Sequence, residues 1–520
     1  MTLRETERNT KYDRQIRLWA DNGQKRLEQG HVCLINANPA GAETLKNLVL
    51  PGIGAFTIMD DRTVCETDLS GNFFLEEEHV GLGIAGAMTE SLQELNPDVK
   101  GQFLEILVDR ALAKPELWTL FSIVVVSGFL KPDLVRRLAD FLWDQQVPLL
   151  LVSTSGFYAT LHIISKETTI VETHDPSKTF DLRIDCPWPE LAAFSASFDM
   201  DLLDDTEHAH VPYIVIFIKA LEQWKADHGG RAPLNYSEKR EFRSEYVERM
   251  SRNINIETNF IEAAQSVHRA LQITQVPNSL RQLFNRDEVV KDGANFSDFW
   301  LHVRALKSFI DTNEGQLPLP GNIPDMASTT HNYVQLQKIY RNKADADKQK
   351  FTSELSRVYT EAGRSADEIN PGFVASFCKN AAFLFVSNGS KSQVSESLIR
   401  QLSRKDGADS SASEHHDLTI YFGILALYQW MDEGKTGGFD AFINCFEKIT
   451  SISKEALAPA VSNFLKELFI HDTPSYHNIC SLIGGIAGQE ALKIATEQYI
   501  PLDNLYIFDG VRSASSKWRV

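Results

Sequence analysis

Near its start the chain places Asn36-Ala37-Asn38-Pro39-Ala40-Gly41 between a buried-strand run, His31-Val32-Cys33-Leu34-Ile35, and a helix-like run carrying Leu45, Leu48 and Val49. A strand that opens through a tight turn into a helix is the frame of a G-x-G-x-x-G phosphate loop. Only the last glycine of that frame, Gly41, is present. The first two glycines allow the tight turn and let backbone N–H groups approach a phosphate. Asn36 and Asn38 fill that space with side chains, and Pro39 removes a donor outright. The frame therefore predicts a nucleotide-binding architecture that does not hold its own nucleotide.

The first 170 residues alternate strand and helix patterns, which predicts an α/β doubly wound, mostly parallel sheet. Strands are read at 31–36, 55–59, 103–107, 122–126 and 148–153, and helices near 41–50, 81–95 and 131–145. Asp60 closes the second strand 19 positions after Gly41, where a ribose-binding acid would stand. From about 175 to 470 helical stretches dominate, such as Phe299–Leu306 and Tyr333–Asp347. The Ser-, Gly- and charge-rich stretch 387–416 reads as a mobile surface loop. Compact chemistry returns in the small-residue amphipathic helix Ile483–Ile494 and the strand Asn504–Phe508. The expected organisation is a first part at 1–170, a large, mainly helical insert at 171–474 and a completing segment at 475–520.

At 520 residues two or three domains are expected. A net charge of −18 speaks against a nucleic-acid partner, which needs clustered Lys and Arg. The six cysteines (33, 65, 186, 378, 445 and 480) form no C-x-x-C pair, so neither a zinc site nor a disulfide framework is expected. The polar N-terminus reads as no signal peptide. Apolar runs such as Tyr213–Ile218 are too short to cross a bilayer. The expectation is a protein of the cytoplasm, the nucleus or both, with no membrane contact.

Lys11-Tyr12-Asp13-Arg14-Gln15-Ile16-Arg17-Leu18-Trp19 precedes the first strand. As one helix it would stack Tyr12, Ile16 and Trp19 on one face and leave Arg14 and Arg17 on another. This segment, with Ala55–Asp60, Leu95-Asn96-Pro97 and the Gly484–Ile494 helix, resembles the ubiquitin-like-modifier activating enzymes and their bacterial sulfur-carrier adenylating relatives. The resemblance implies a Rossmann-like adenylation fold that works as a pair of halves, one competent and one degenerate. The competent half binds ATP and magnesium, adenylates the modifier's C-terminus and passes the acyl group to a cysteine. Here the family's Arg-Gln pair is replaced by Asn72-Phe73, its lysine position by Ile84, and its metal-binding Asp is missing from Val126-Ser127-Gly128-Phe129. With the altered loop, these losses imply the inactive half: no cofactor and no metal bound by this chain, ATP and magnesium on the partner, and a degenerate site of Asn36, Asn38, Gly41 and Asp60. Asp60 is expected to be structural.

The same resemblance implies that Arg14 reaches across a heterodimer to the phosphates in the partner's ATP site, while Arg17 is structural. The large insert, termination at Val520 and segments such as Pro187–Leu191, Gly321–Met326 and Tyr333–Gln337 resemble the regulatory subunits of neddylation activating enzymes. The implied partners are the catalytic subunit of that enzyme and its ubiquitin-like modifier. The alternatives are a subunit of the sumoylation activating enzyme and a binding scaffold outside the activation cycle.

Plainer readings apply to the remaining reactive side chains. Cys186, Cys378, Cys445 and Cys480 lack an evident electropositive setting, so none is expected to be a nucleophile. His208, His210, His415 and His416 lack further ligands at metal spacing. Ser153-Thr154-Ser155-Gly156 lacks the G-x-S-x-G frame of a hydrolase.

Overall fold

In the run His31–Ile35 (β1), Val32 to Ile35 are apolar and buried because the strand pairs in parallel with strands on both sides and is covered on both faces. One neighbour is Ala55–Met59 (β2), with His31 opposite Ala55, and the other is Ile123–Ser127 (β4), with Val32 opposite Ile123. The other strands of the same sheet are Lys100–Leu104 (β3), Leu149–Ser155 (β5), Tyr158–Ile164 (β6), Leu505–Asp509 (β7) and Ala514–Trp518 (β8). In the computed structural model, which describes residues 3–175, 177–290, 296–391, 394–403, 416–471 and 476–520, they form one eight-stranded sheet. Its order is β8-β7-β6-β5-β4-β1-β2-β3. Strands β3 through β5 are parallel in the doubly wound manner, and β6, β7 and β8 continue the sheet antiparallel. The chain reverses direction across the sheet between β1 and β4, so their C-terminal ends frame the crevice where such folds bind ligands.

Helix Pro39–Val49 (α2, after α1, Asp13–Gln29) and helix His477–Thr496 (α3) lie together over one face of the sheet. Gly484 and Gly488 make this possible, since a Cβ on either would stand 2.6–2.7 Å from Glu43 or Asn47 of α2. The C-terminal helix is thus fitted directly onto the helix that follows the loop.

Three expectations change. The third strand runs Lys100–Leu104 rather than 103–107. It is a partly exposed edge strand, so apolarity does not mark it, and the cluster Phe103 to Leu107 drew the reading three residues late. Strands β6 and β8 are additional, β6 turning back from β5 through Gly156 at φ +55°. The chain also divides into one unit of Met1–Ile170 with Val386–Val520 and a second of Val171–Phe385, rather than into an insert ending at 474. Helices Asp417–Asp432, Gly438–Thr450 and Pro459–His471 share a core with Tyr158, Leu505 and Ile507 of the sheet, which assigns them to the first unit. Within 387–416, Glu396–Ser403 is helical, and 392–393 and 404–415 lie outside the described residues.

The second unit is helical, built around Tyr213–Asp227 and the long helix Thr330–Glu361. Buried Asp347 of that helix is held by Lys343 at 2.7 Å and the Leu319 N–H at 3.0 Å. Among the described residues no helix is long and apolar enough to cross a membrane.

Candidate functional site: a closed phosphate loop and an exposed arginine

The loop after β1 uses its backbone donors internally. Asn36 sits at φ +69°, a left-handed conformation that Asn tolerates better than most side chains. Its Nδ2 donates to the carbonyls of Phe129 (2.8 Å) and Ser127 (3.1 Å), tying β1 to the end of β4. The Ala37 N–H donates to Asp60 Oδ2 at 2.8 Å and the Asn38 N–H to the Asn36 carbonyl at 3.0 Å. Pro39 has no N–H. Asn38 caps α2, its Oδ1 accepting from the Gly41 N–H (3.0 Å) and from Ser127 Oγ (2.5 Å). The N–H groups of Ala37, Asn38 and Gly41, at the turn where such folds receive a phosphate, are therefore occupied within the fold.

The rest of the pocket fits ATP no better. Buried Asp60, at the ribose position, accepts from the backbone and Nη2 of Arg62, the latter at 2.8 Å. Burial opposes the Arg62 charge and the bonds to Asp60 outweigh it, so the guanidinium pKa is raised. Asn72 is buried, with its carbonyl oxygen accepting from the Phe74 N–H at 3.1 Å, and Phe73 is exposed and stacked on His477. Ile84 is fully buried in the core. Within Val126-Ser127-Gly128-Phe129, the stretch that lacks the metal-binding Asp, Gly128 adopts φ +73° and packs so closely that an added Cβ would stand 2.5 Å from Asn38 Nδ2. Among the described residues no cluster of three or more His, Cys, Asp or Glu could hold a metal ion. Gly41 serves helix packing instead, because a Cβ there would lie 2.8 Å from Leu34 Cδ1. The residues present do not fit a bound nucleotide.

The Lys11–Trp19 segment differs from a single continuous helix. One helix, Leu3–Lys11, ends as Tyr12 breaks the path at φ −104°, ψ 18°, and α1 begins at Asp13. A second break falls at Trp19 and Ala20. Tyr12 is buried, and its hydroxyl accepts from Asn96 Nδ2 at 3.0 Å. Arg17 pairs with Asp13 at 2.9 Å in an exposed i,i+4 contact. Arg14 is exposed and makes no ion pair among the described residues. Two features escaped the sequence reading. The Asp60–Arg62 pair was signalled only by a two-residue spacing, and the Tyr12–Asn96 bond spans 84 positions with no local signal.

The other reactive side chains are engaged in packing or local bonds. Burial raises the thiol pKa of Cys33, Cys186, Cys378 and Cys445, to about 12 for Cys378 and about 11 for Cys445. Cys480, a residue of α3, is buried in the core. His208 is buried, bonded to Glu257 at 2.6 Å and stacked on Phe260, while His210 bonds the Thr206 carbonyl. His416 caps the helix at Asp417, and His415 lies outside the described residues. Ser153 is a buried residue of β5.

The profile of the ThiF family matches residues 12–520. The chain is 35% identical to a NEDD8-activating enzyme E1 regulatory subunit of Xenopus laevis, with 98% of each chain covered. It is also 35% identical to the Nedd8-activating enzyme E1 regulatory subunit of Drosophila melanogaster, covering 98% of this chain and 97% of that one. A NEDD8-activating enzyme E1 regulatory subunit of Danio rerio is 33% identical over the whole of both chains.

Proposed function

The chain belongs to the ThiF family and, within it, to the NEDD8-activating enzyme E1 regulatory subunits, and we propose that it assists ATP-dependent chemistry carried out on a partner subunit. In this reading it forms a heterodimer with the catalytic subunit, which holds ATP and magnesium, adenylates the ubiquitin-like modifier NEDD8 and carries the thioester. This chain binds neither nucleotide nor metal. Its contribution to the reaction is Arg14, placed against the phosphates in the partner's site, where a cation held from outside offsets charge developing on the departing pyrophosphate. Whole-chain coverage by regulatory subunits of one pathway favours this over a sumoylation subunit. The cytoplasm, the nucleus or both are its proposed compartment.

The observation that carries the reading is the contrast at the N-terminal end of the first unit. The loop donors are consumed by Asp60, Asn36 and Asn38, whereas Arg14 stands in solvent without an ion pair among the described residues. Calorimetry and reconstitution test it. The chain alone is expected to show no ATP binding at millimolar nucleotide. Mixed one-to-one with the catalytic subunit, it should support ATP–pyrophosphate exchange and modifier thioester formation. Micromolar ATP binding by the isolated chain would overturn the reading.

A further inference from the structure

The segment that carries Arg14 is fastened at both ends by buried polar side chains, and both fastenings meet the same turn. At the front, Asn96 is buried with its amide fully used. Its Nδ2 donates to the Tyr12 hydroxyl (3.0 Å) and to the Val49 carbonyl at the end of α2 (2.9 Å). Its Oδ1 accepts from Lys11 Nζ (2.5 Å) and the Asp98 N–H (3.3 Å). Lys11 is held further by Asp98 at 2.6 Å. The Tyr12 ring lies over Gly52, whose φ of +90° and missing side chain make the room, since a Cβ there would stand 2.6 Å from the hydroxyl.

At the rear, Trp19 Nε1 donates to Gln24 Oε1 at 3.0 Å, and Gln24 Nε2 donates to the Pro51 carbonyl at 3.0 Å. Gln498 Nε2 donates to the Trp19 carbonyl at 2.7 Å, close above Gly23, where any Cβ would collide with Trp19 and Gln498. The helical turns from Asp13 to Leu18 therefore span two anchors seated on Pro51-Gly52. Burying polar groups is costly unless each is bonded, and here the bonds converge on a short surface segment whose exposed residues are Asp13, Arg14, Arg17 and Leu18.

We infer that Asn96 and Tyr12 are positioning residues: they preset the direction of the Arg14 helix before the partner subunit is met. The inference rests on the proposed role of Arg14. A long cationic side chain loses conformational freedom when it is fixed against phosphates. A backbone already held in one orientation reduces that loss, and a loosened one lowers the fraction of complexes with the guanidinium in place.

The test is a double-mutant cycle in the assembled heterodimer, read by ATP–pyrophosphate exchange and by subunit affinity. Tyr12→Phe keeps the ring and removes the hydroxyl. It should slow exchange about 5-fold, the order expected for one hydrogen bond, with subunit affinity unchanged within about twofold. Placed on Arg14→Ala, it should add less than about a twofold further loss, since nothing remains to be positioned. The exposed variant Lys11→Ala, which frees one end of Asn96 without emptying the core, should act in the same direction by about twofold. It serves as the readout if Tyr12→Phe fails to assemble. Additive losses, or a slowing explained by weakened subunit affinity, would overturn the inference. Arg14→Ala slowing exchange while Tyr12→Phe and Lys11→Ala match wild type would remove the positioning role alone. Arg14→Ala at the wild-type rate would remove both readings.

Discussion

The closed loop at 36–41 and the arm at 13–19 belong to the same unit and have opposite fates. In the loop, polar groups face inward: Asn36 bridges to Ser127 and Phe129, Asn38 caps its own helix, and Asp60 takes the Ala37 N–H. In the arm, the buried bonds lie at the ends, and the charged side chains of Arg14 and Arg17 stay outside. The same resource, the side-chain amide, serves both. Asn36 and Asn38 substitute for a ligand by satisfying the backbone that would have bound it, whereas Asn96 secures a segment and leaves its cation free to act elsewhere. A site can thus lose its ligand and gain rigidity together, because a fold that binds no phosphate must still satisfy the donors built to receive one.

The arm should dominate the rate. In the heterodimer, Arg14→Ala is expected to lower adenylate formation about 10²-fold or more, measured by pyrophosphate exchange. Arg14→Lys should recover only part of it, since a point charge replaces a planar fork. An Arg14→Ala rate equal to wild type would erase the contrast between the two regions. The loop, by comparison, should govern stability. Asn38→Ala removes a helix cap and leaves Ser127 without that acceptor, and should cost about 1–2 kcal/mol in urea unfolding. It should leave exchange unaffected at temperatures where the variant is folded. Restoring glycines with Asn36→Gly and Asn38→Gly together should still give no ATP binding by calorimetry, because Arg62 continues to occupy Asp60 and Pro39 still lacks a donor. Binding by that double variant would mean that crowding alone had closed the loop.

The altered frame of the loop was legible in the sequence, and the bonds that fill it were not. Asn at glycine positions reads as crowding. The structure shows Asn36 keeping the left-handed turn and Asn38 acting as a cap, with partners about ninety positions downstream that no local pattern announces. The sheet was legible where strands are buried on both faces, as at β1 and β4, and was misplaced at β3, an edge strand whose apolar residues continue into the following turn. The domain boundary failed for a related reason. Helical periodicity identifies helices but not what covers their apolar faces, and those from 417 to 471 pack with the sheet. For the arm, spacing sets Arg14 and Arg17 apart from Tyr12, Ile16 and Trp19, and both arginines are exposed, but Tyr12 and Trp19 interrupt the single helix expected.

The smallest expected effect separates the two arginines of the arm. Arg17 pairs with Asp13 on an exposed helical surface, with about three quarters of the arginine side chain (77%) in solvent. Such a pair contributes roughly 0.5 kcal/mol or less, and salt screens it. Arg17→Ala should therefore shift unfolding by no more than about 0.5 kcal/mol and leave pyrophosphate exchange within about twofold of wild type. Arg14 and Arg17 share charge, exposure and helix, so a general loss of positive surface would slow both variants to the same extent, and more so at low salt. Position-specific action predicts that only Arg14→Ala slows exchange, and by a factor that added salt changes little. Equal losses from the two variants would reduce the arm to a patch of charge and leave Asn96 and Tyr12 with nothing to aim.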